Sequence, residues 1–355
     1  MAVTIDRGLV FRDSIDRKMD TNLTPEQHLL VRTGDIAYNM MRMWQGASGR
    51  AAHDGLISPA YIVCAPTNEI DSKFASYLFK FPPTVRKFQD HSHGITEDRL
   101  RLYYGDFASI RLPLPPLGEQ RRIGEILGAW DDAIEKVNAL IQAKQKLKRA
   151  LMQQLLTPTR RFPQFGGAPS NGELADGWHR TALSKLGDTY PGLAGKSKDD
   201  FGSGKPYIPY LNVFSNSRVD PSNVGYVSIQ PDERQHRVQC GDVLFTVSSE
   251  TPEEVGMSSV LLDELGEAYL NSFCFGFRPS LDAPLLPEFA QFAFRSPVMR
   301  RRISQLAQGA TRYNLSKNQV MRLQIDLPGM AEQKQIAELL QSSDAEVRLL
   351  VDVEG

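Results

Sequence analysis

A chain of 355 residues, 41% hydrophobic and 23% charged, has the make-up of a globular protein of two or three domains. Its formal net charge of −1 excludes bulk basicity as a means of holding nucleic acid, so any such contact must come from local patches. Cys64, Cys240 and Cys274 are scattered and form no Cys-x-x-Cys, which excludes a disulfide framework and a zinc knuckle; with no apolar run of membrane-spanning length and no apolar signal region, a cytoplasmic protein without a membrane role is expected.

In chain order, residues 1–113 read as mixed strand and helix. Gly34-Asp35 is a turn entering a strand at Ile36–Tyr38, and 56–66 is a second strand rich in β-branched and aromatic residues. Residues 71–90 read as helical on both sides of Pro82-Pro83. A Pro-rich stretch, Pro113, Pro115 and Pro116, then leads into a long helix over 117–156. There Ile123, Leu127, Trp130, Ile134, Val137 and Ile141 follow steps of 4, 3, 4, 3 and 4, a heptad seam that needs a partner helix.

The partner is written further along the same chain. At an offset of 213, Leu114-Pro115 becomes Leu327-Pro328 and Glu119-Gln120 becomes Glu332-Gln333. Ile123, Leu127, Ile134 and Val137 become Ile336, Leu340, Val347 and Leu350, while Trp130 becomes Ser343. A period that long is the duplication of half a protein. Residues 158–177, rich in Pro and Gly, read as a linker, and 178–327 repeat the first domain: GDVLF at 241–245 matches GDIAY at 34–38. In the second copy 63 positions separate Trp178 from Gly241, whereas only 33 residues precede Gly34. The first copy therefore lacks much of its leading portion, and the second helix, with 25 residues after Met330, is the shorter of the two.

With LPPLGEQRRIGEILGAWDDAIE at 114–135, ALMQQLL at 150–156, GDVLFTVSSETPEEVG at 241–256 and GATRYNLSKNQV at 309–320, the chain resembles the specificity subunit of type I restriction–modification systems over nearly its whole length. The resemblance implies an α+β fold: two pseudo-repeated target-recognition domains joined by long helices that form an antiparallel coiled coil. The expected division is 1–113 for a shortened first recognition domain, 114–157 for the long helix, 158–177 for the linker, 178–327 for the second recognition domain and 328–355 for the second helix. It also implies a subunit with no catalysis and no cofactor of its own, which reads a bipartite site in double-stranded DNA. Its partners would be two modification (methyltransferase) subunits and the restriction (motor-nuclease) subunits. Trp130 would fill the space that Ser343 leaves, and Glu125, Asp132, Glu135, Lys144 and Lys148 would face outward to those partners.

For DNA contact, the span from Arg295 to Arg322 carries seven basic residues and no acid, and Arg300, Arg301, Arg312 and Lys317 with Tyr313 and Asn314 are its candidates. A solvated helix face is the other use of such a cluster. Ser248 and Ser249 follow a strand and offer short hydroxyls, as an ordinary polar turn also does; the first copy places Arg42 and Gln45 in the corresponding stretch. Lys196 and Lys205 flank a Gly-rich stretch and suit phosphate contact. Gly195-Lys196-Ser197 is no phosphate-binding loop, because Tyr190 stands where the first Gly is required. His91-Ser92-His93 has no further ligands at metal-site spacing. Two rival classes are a self-contained DNA methyltransferase-like enzyme, opposed by the absence of cofactor and catalytic motifs, and a coiled-coil scaffold that does not bind DNA.

Overall fold

The computed structural model describes residues 1–15, 24–96, 99–157, 159–167 and 174–354, so linker positions 158 and 168–173 lie outside the described residues. The chain divides into two compact units, Met1–Val137 and Asn138–Gly355.

The first unit opens with β1 (Ala2–Thr4) and β2 (Gly8–Val10), then β3 (Leu29–Val31), β4 (Ile36–Asn39), β5 (Ser48–Arg50), β6 (Gly55–Ile57) and β7 (Tyr61–Cys64). β4 is central, antiparallel to both β5 and β7. Ile36, Ala37 and Tyr38 are all buried, so β4 reads as a continuous apolar run rather than an alternation. The strand expected over 56–66 is two strands, because the chain turns at Ser58-Pro59-Ala60, where the Tyr61 N–H donates to the Ser58 carbonyl (3.0 Å). Helix α1 (Ser72–Leu78) starts under an Asp71 side chain that accepts from the Phe74 N–H. Pro82 and Pro83 sit in the first turn of α2 (Pro82–Asp90), where they start the helix. α3 (Tyr104–Ser109) precedes the long α4 (Leu117–Leu155), which begins in this unit and continues into the second.

The second unit contains β8 (His179–Ala182), β9 (Gly187–Pro191), β10 (Phe201–Ile208), α5 (Tyr210–Ser215), β11 (Gly225–Val227), β12 (Val243–Thr246) and β13 (Ser248–Ser249). β14 (Ser258–Val260), β15 (Tyr269–Leu270), β16 (Cys274–Pro279), α6 (Pro287–Ala293), α7 (Pro297–Ser304) and β17 (Tyr313–Asn314) follow. α8 (Lys317–Val320), β18 (Gln324–Leu327) and α9 (Met330–Glu354) complete it. Its main sheet, β14-β12-β16-β9, repeats β5-β4-β7 of the first unit with one strand more. α6 and α7 repeat α1 and α2 at an offset of 215, and α9 repeats the start of α4 at 213. Each β4-type strand is entered through a glycine with positive φ, +95° at Gly34 and +91° at Gly241, where a side chain would be strained.

Helix α9 runs antiparallel to the C-terminal half of α4. Leu155 and Leu156 pack with Ile336 and Leu340, Lys148 pairs with Asp344, and Lys144 pairs with Glu346 at 2.6 Å. The expected two long helices and antiparallel coil are thus present, with two corrections. Lys144 and Lys148 are engaged across the coil and do not face outward. With 25 residues against 39, α9 is too short to follow α4 to its start. Leu127, Trp130 and Ile134 are exposed, Trp130 at 66%, so the ring of Trp130 is not the buried space-filler expected, while Ser343 is buried. Ile141, Ile336 and Leu340 are buried, whereas Ile123, Val137, Val347 and Leu350 are half-buried. In the first unit α4 presents Gly124 and Gly128 to α1, where an added Cβ would meet Phe74 and Lys73.

Candidate nucleic-acid interface

Two segments singled out in the sequence, 65 positions apart, lie side by side in the structure. β13 pairs antiparallel with β17, Ser248 opposite Asn314 and Ser249 opposite Tyr313. The Leu315 N–H donates to the Val247 carbonyl (2.8 Å), and Gln308 and Asn314 exchange backbone hydrogen bonds (3.0 and 2.8 Å). A loop over 309–312 is thereby closed at its base. Gly309 starts it at φ +134°, with the Arg312 carbonyl where a Cβ would go.

Beside this ladder lies a cleft of about 570 Å³, lined by Tyr210 and Phe214 of α5, Ser249, Glu254, Thr311 and Arg312 among others. The Tyr210 and Phe214 rings stack 5.8 Å apart, and the Tyr210 hydroxyl donates to the Ser248 carbonyl (2.8 Å). Burial raises the Tyr210 phenol above its ordinary pKa, so it stays a neutral donor. The exposed Arg312 guanidinium lies 6.0 Å from the centre of the Phe273 ring, itself 56% exposed. The cleft thus offers a cation able to meet a phosphate or a guanine edge, apolar faces for bases or thymine methyls, and a carboxylate for an exocyclic amine.

The basic segment divides into two roles. Arg295 donates to the carbonyls of Ser258 (2.5 Å), Val213 (3.0 Å), Phe214 (2.8 Å) and Asn216 (2.7 Å), closing the C-terminal end of α5. Arg300 donates to the carbonyls of Gly256 (2.6 Å), Glu253 (2.7 Å) and Val255 (2.6 Å). Burial brings the Arg295 and Arg300 guanidinium groups down to about 10, so both remain charged at neutral pH. Arg300 is therefore corrected from a DNA candidate to a residue that holds a wall of the cleft. Arg302 is bound to the Gln324 carbonyl (2.6 Å), whereas Arg301, Arg312 and Asn314 are exposed and Tyr313 and Lys317 half-exposed.

Lys196 is a second correction: its side chain is 3% exposed and its ammonium is held by Glu233 (2.5 Å) and the Ser228 carbonyl (2.6 Å). Lys205 pairs with Glu267 at 2.7 Å but stays half-exposed. Ser248 and Ser249 are buried, and the Ser249 hydroxyl donates to Glu254 (3.3 Å), so these serines contribute backbone geometry to the cleft.

The first unit repeats the arrangement. The Leu102 N–H donates to the Met40 carbonyl (2.9 Å), as Leu315 does to Val247 at offsets of 213 and 207, and His93 and Arg101 exchange backbone hydrogen bonds at 2.9 Å. A cleft of about 610 Å³ there is lined by Met41, His93, Ile95, Arg99, Arg101 and Tyr103 among others. Positions 97–98 of this loop lie outside the described residues. Exposed Arg42 donates to Gln45 (3.1 Å) on the neighbouring turn. Arg99, Arg101 and Tyr103 were not singled out in the sequence, although the offset of 213 already maps Arg101 onto Asn314. His93 pairs with Asp106 at 3.2 Å, and among the described residues no three His, Cys, Asp or Glu side chains gather as metal ligands.

Among the described residues no helix is long and apolar enough to cross a membrane. The family model of the type I restriction modification DNA specificity domain matches residues 52–145 and 193–351, more than two thirds of the chain. The chain is similar to the type I restriction enzyme MjaVIII specificity subunit of Methanocaldococcus jannaschii, 24% identical, covering 94% of this chain and 77% of the relative. To the EcoKI specificity subunit of Escherichia coli K12 it is 25% identical, over 85% of this chain and 66% of the relative. Its fold is shared with a solved chain of the type I R-M system (TM-score 0.55, 19% identity, 93% and 80% of the two chains). It is shared as well with the type I restriction–modification S subunit from M. genitalium (TM-score 0.56, 14% identity, 91% and 79%). A clamped cleft built twice, on a duplicated half joined by a long helix, is matched by a family model that spans parts of both copies: the chain belongs to the type I restriction–modification DNA specificity family and is a specificity subunit of that class.

Proposed function

We propose that this chain reads a bipartite site in double-stranded DNA, each unit reading one half, and that it carries no catalysis or cofactor of its own. In the second unit Arg312, Tyr313 and Asn314 meet the bases, with Arg301, Lys317 and Lys205 on phosphates. In the first, Arg101, Arg99 and Tyr103 take that part, with Arg42 and Gln45 on the adjoining turn. Two modification (methyltransferase) subunits and the restriction (motor-nuclease) subunits assemble on it and supply the chemistry. The recognition parts of the two units correspond to residues 1–113 and 178–327, with the helices 114–157 and 328–355 and the linker 158–177 between and after them.

The observation that carries this reading is the repeated clamp, Leu102 to Met40 and Leu315 to Val247, each at the root of an exposed loop beside a cleft of similar size. The clamp holds the base of each loop while Arg99 and Arg101 in one and Arg312 in the other stay exposed, an arrangement that suits base readout. Mapping of methylated sites in a host that expresses this chain with its methyltransferase tests it. Arg312→Ala should relax one half of the methylated sequence and Arg101→Ala the other. Identical loss at both halves, or none, would refute the division of labour.

A further inference from the structure

The second unit contains a segment that the first unit lacks among its described residues, and the surface it would cover in the first unit is open. Strand β8 pairs with β18, Thr181 opposite Ile325 and His179 opposite Leu327. Leu183 and Leu186, which follow β8, are buried in the main core with Phe277, Ile325 and Leu327. Ahead of β8, Arg161 forms a two-pronged pair with Glu332 (3.0 and 2.8 Å), both side chains 3% exposed, and the Trp178 indole donates to the same carboxylate (3.2 Å).

Three counterparts in the first unit stand open. Arg111–Leu114 is the counterpart of β18, and among the described residues neither Leu112 nor Leu114 makes a backbone hydrogen bond. An apolar cleft of about 590 Å³ lies beside it, lined by Ile36, Cys64, Phe79, Phe107, Leu112 and Leu114 among others. Its counterparts Val243, Phe277, Phe294, Ile325 and Leu327 are buried in the same core cluster as Leu183 and Leu186. Glu119, the counterpart of Glu332, is exposed and has no side-chain partner among the described residues.

Pro113 stands where the second unit has Asp326, and a proline bars a strand wherever the ladder needs its N–H. The register removes that objection. Leu183 donates to the Leu323 carbonyl (3.0 Å), so the bonded pairs along this ladder are 183 with 323, 181 with 325 and 179 with 327. Asp326 is turned away from the ladder, and a proline at its counterpart costs no ladder bond, whereas Leu112 and Leu114 keep their N–H groups for it.

We propose that the first unit takes up an extended partner segment that adds as an antiparallel strand along Arg111–Leu114, places apolar side chains in the adjoining cleft and sets an arginine on Glu119. This is strand addition at an open edge, with the anion and the cleft giving the register. The chemistry asked of the partner is that of residues 161–186: an Arg, then a Trp, then a short strand followed by two leucines three positions apart. It goes beyond DNA reading and stands or falls without it.

The test uses the full chain and a fluorescent peptide with the sequence of residues 159–187. Anisotropy should show saturable binding, one peptide per chain, with none for a scrambled peptide. Glu119→Gln, a change at an exposed position, should weaken binding about tenfold or more, and Leu112→Asp should abolish it. In a Cys240→Ser background the peptide should also shield Cys64 from a thiol reagent. No saturable binding, equal binding by the scrambled peptide, or loss with Glu332→Gln but not with Glu119→Gln would each overturn the proposal. Self-association of the chain that shields Cys64 without peptide would overturn it in favour of a second copy.

Discussion

Gln120 and Gln333, 213 positions apart, tie the same knot in the two units. The Gln120 side-chain oxygen accepts from the Asp71 N–H (2.9 Å), and its amide donates to the carbonyls of Glu69 (3.1 Å) and Pro115 (2.8 Å). Gln333 accepts from the Leu286 N–H (2.9 Å) and donates to the carbonyls of Pro284 and Pro328, both at 2.9 Å. Each glutamine fastens the first turn of a long helix to the entry of the α1-type helix of its own unit. Gln333→Ala should cost about 1–3 kcal/mol, since it removes a fully buried side chain that satisfies three backbone groups, the Pro328 carbonyl in a buried hydrogen bond. Chemical denaturation of Gln333→Ala checks this, and a loss under half a kcal/mol would contradict it.

Trp130 gives the opposite expectation. Its ring is two-thirds exposed, so Trp130→Ala should change stability by no more than about 0.5 kcal/mol. Leu340→Ala, at a position with no exposure, should cost about 2–5 kcal/mol. Denaturant melts of both variants separate the covered part of the coil from the open one.

Arg312 and Arg300 should separate reading from support. Arg312→Ala should leave the melting transition in place and weaken binding of the assembled complex by about 1–3 kcal/mol, selectively for one half-site. Arg300→Ala strands three carbonyls and should destabilise the fold by about 1–3 kcal/mol. Binding measured below the melting range, beside thermal unfolding, distinguishes the two outcomes.

Acid should weaken the second unit through Glu233. Hydrogen bonds from Lys196 and from the Gln230 N–H hold its carboxyl below the ordinary glutamate range. A carboxylate with a lowered folded-state pKa contributes stability above its unfolded pKa and loses it as pH falls through the folded one. Lys196→Met should therefore flatten the acid limb of stability against pH. Urea titrations from neutral pH downward measure it, and an unchanged slope would contradict the assignment.

Much of this was legible in the sequence, because a duplication tests itself: the Leu-Pro, Glu-Gln and Gly-Asp pairs recur at nearly one offset, and each marks a repeated structural joint. The use of the cations was not legible. Arg295, Arg300 and Arg312 have the same charge, and only the carbonyl ends around them show that two are enclosed and one is free. Lys196 misled for the same reason, its partner Glu233 standing 37 positions away. The heptad seam was read correctly as apolar but not as covered, since Leu127 and Trp130 are exposed.

The closed base of the 309–312 loop has a consequence for how such a protein can change. Gln308, Asn314 and buried Leu315 hold the ends, while among the described residues Thr311 and Arg312 make no side-chain hydrogen bonds and belong to no core. Replacing them therefore disturbs little that the fold depends on, apart from the glycine at its start. If the loop reads DNA as proposed, mutation can rewrite the letters it reads while the frame that carries them stays intact, so new targets become reachable by single steps without a passage through unfolded intermediates.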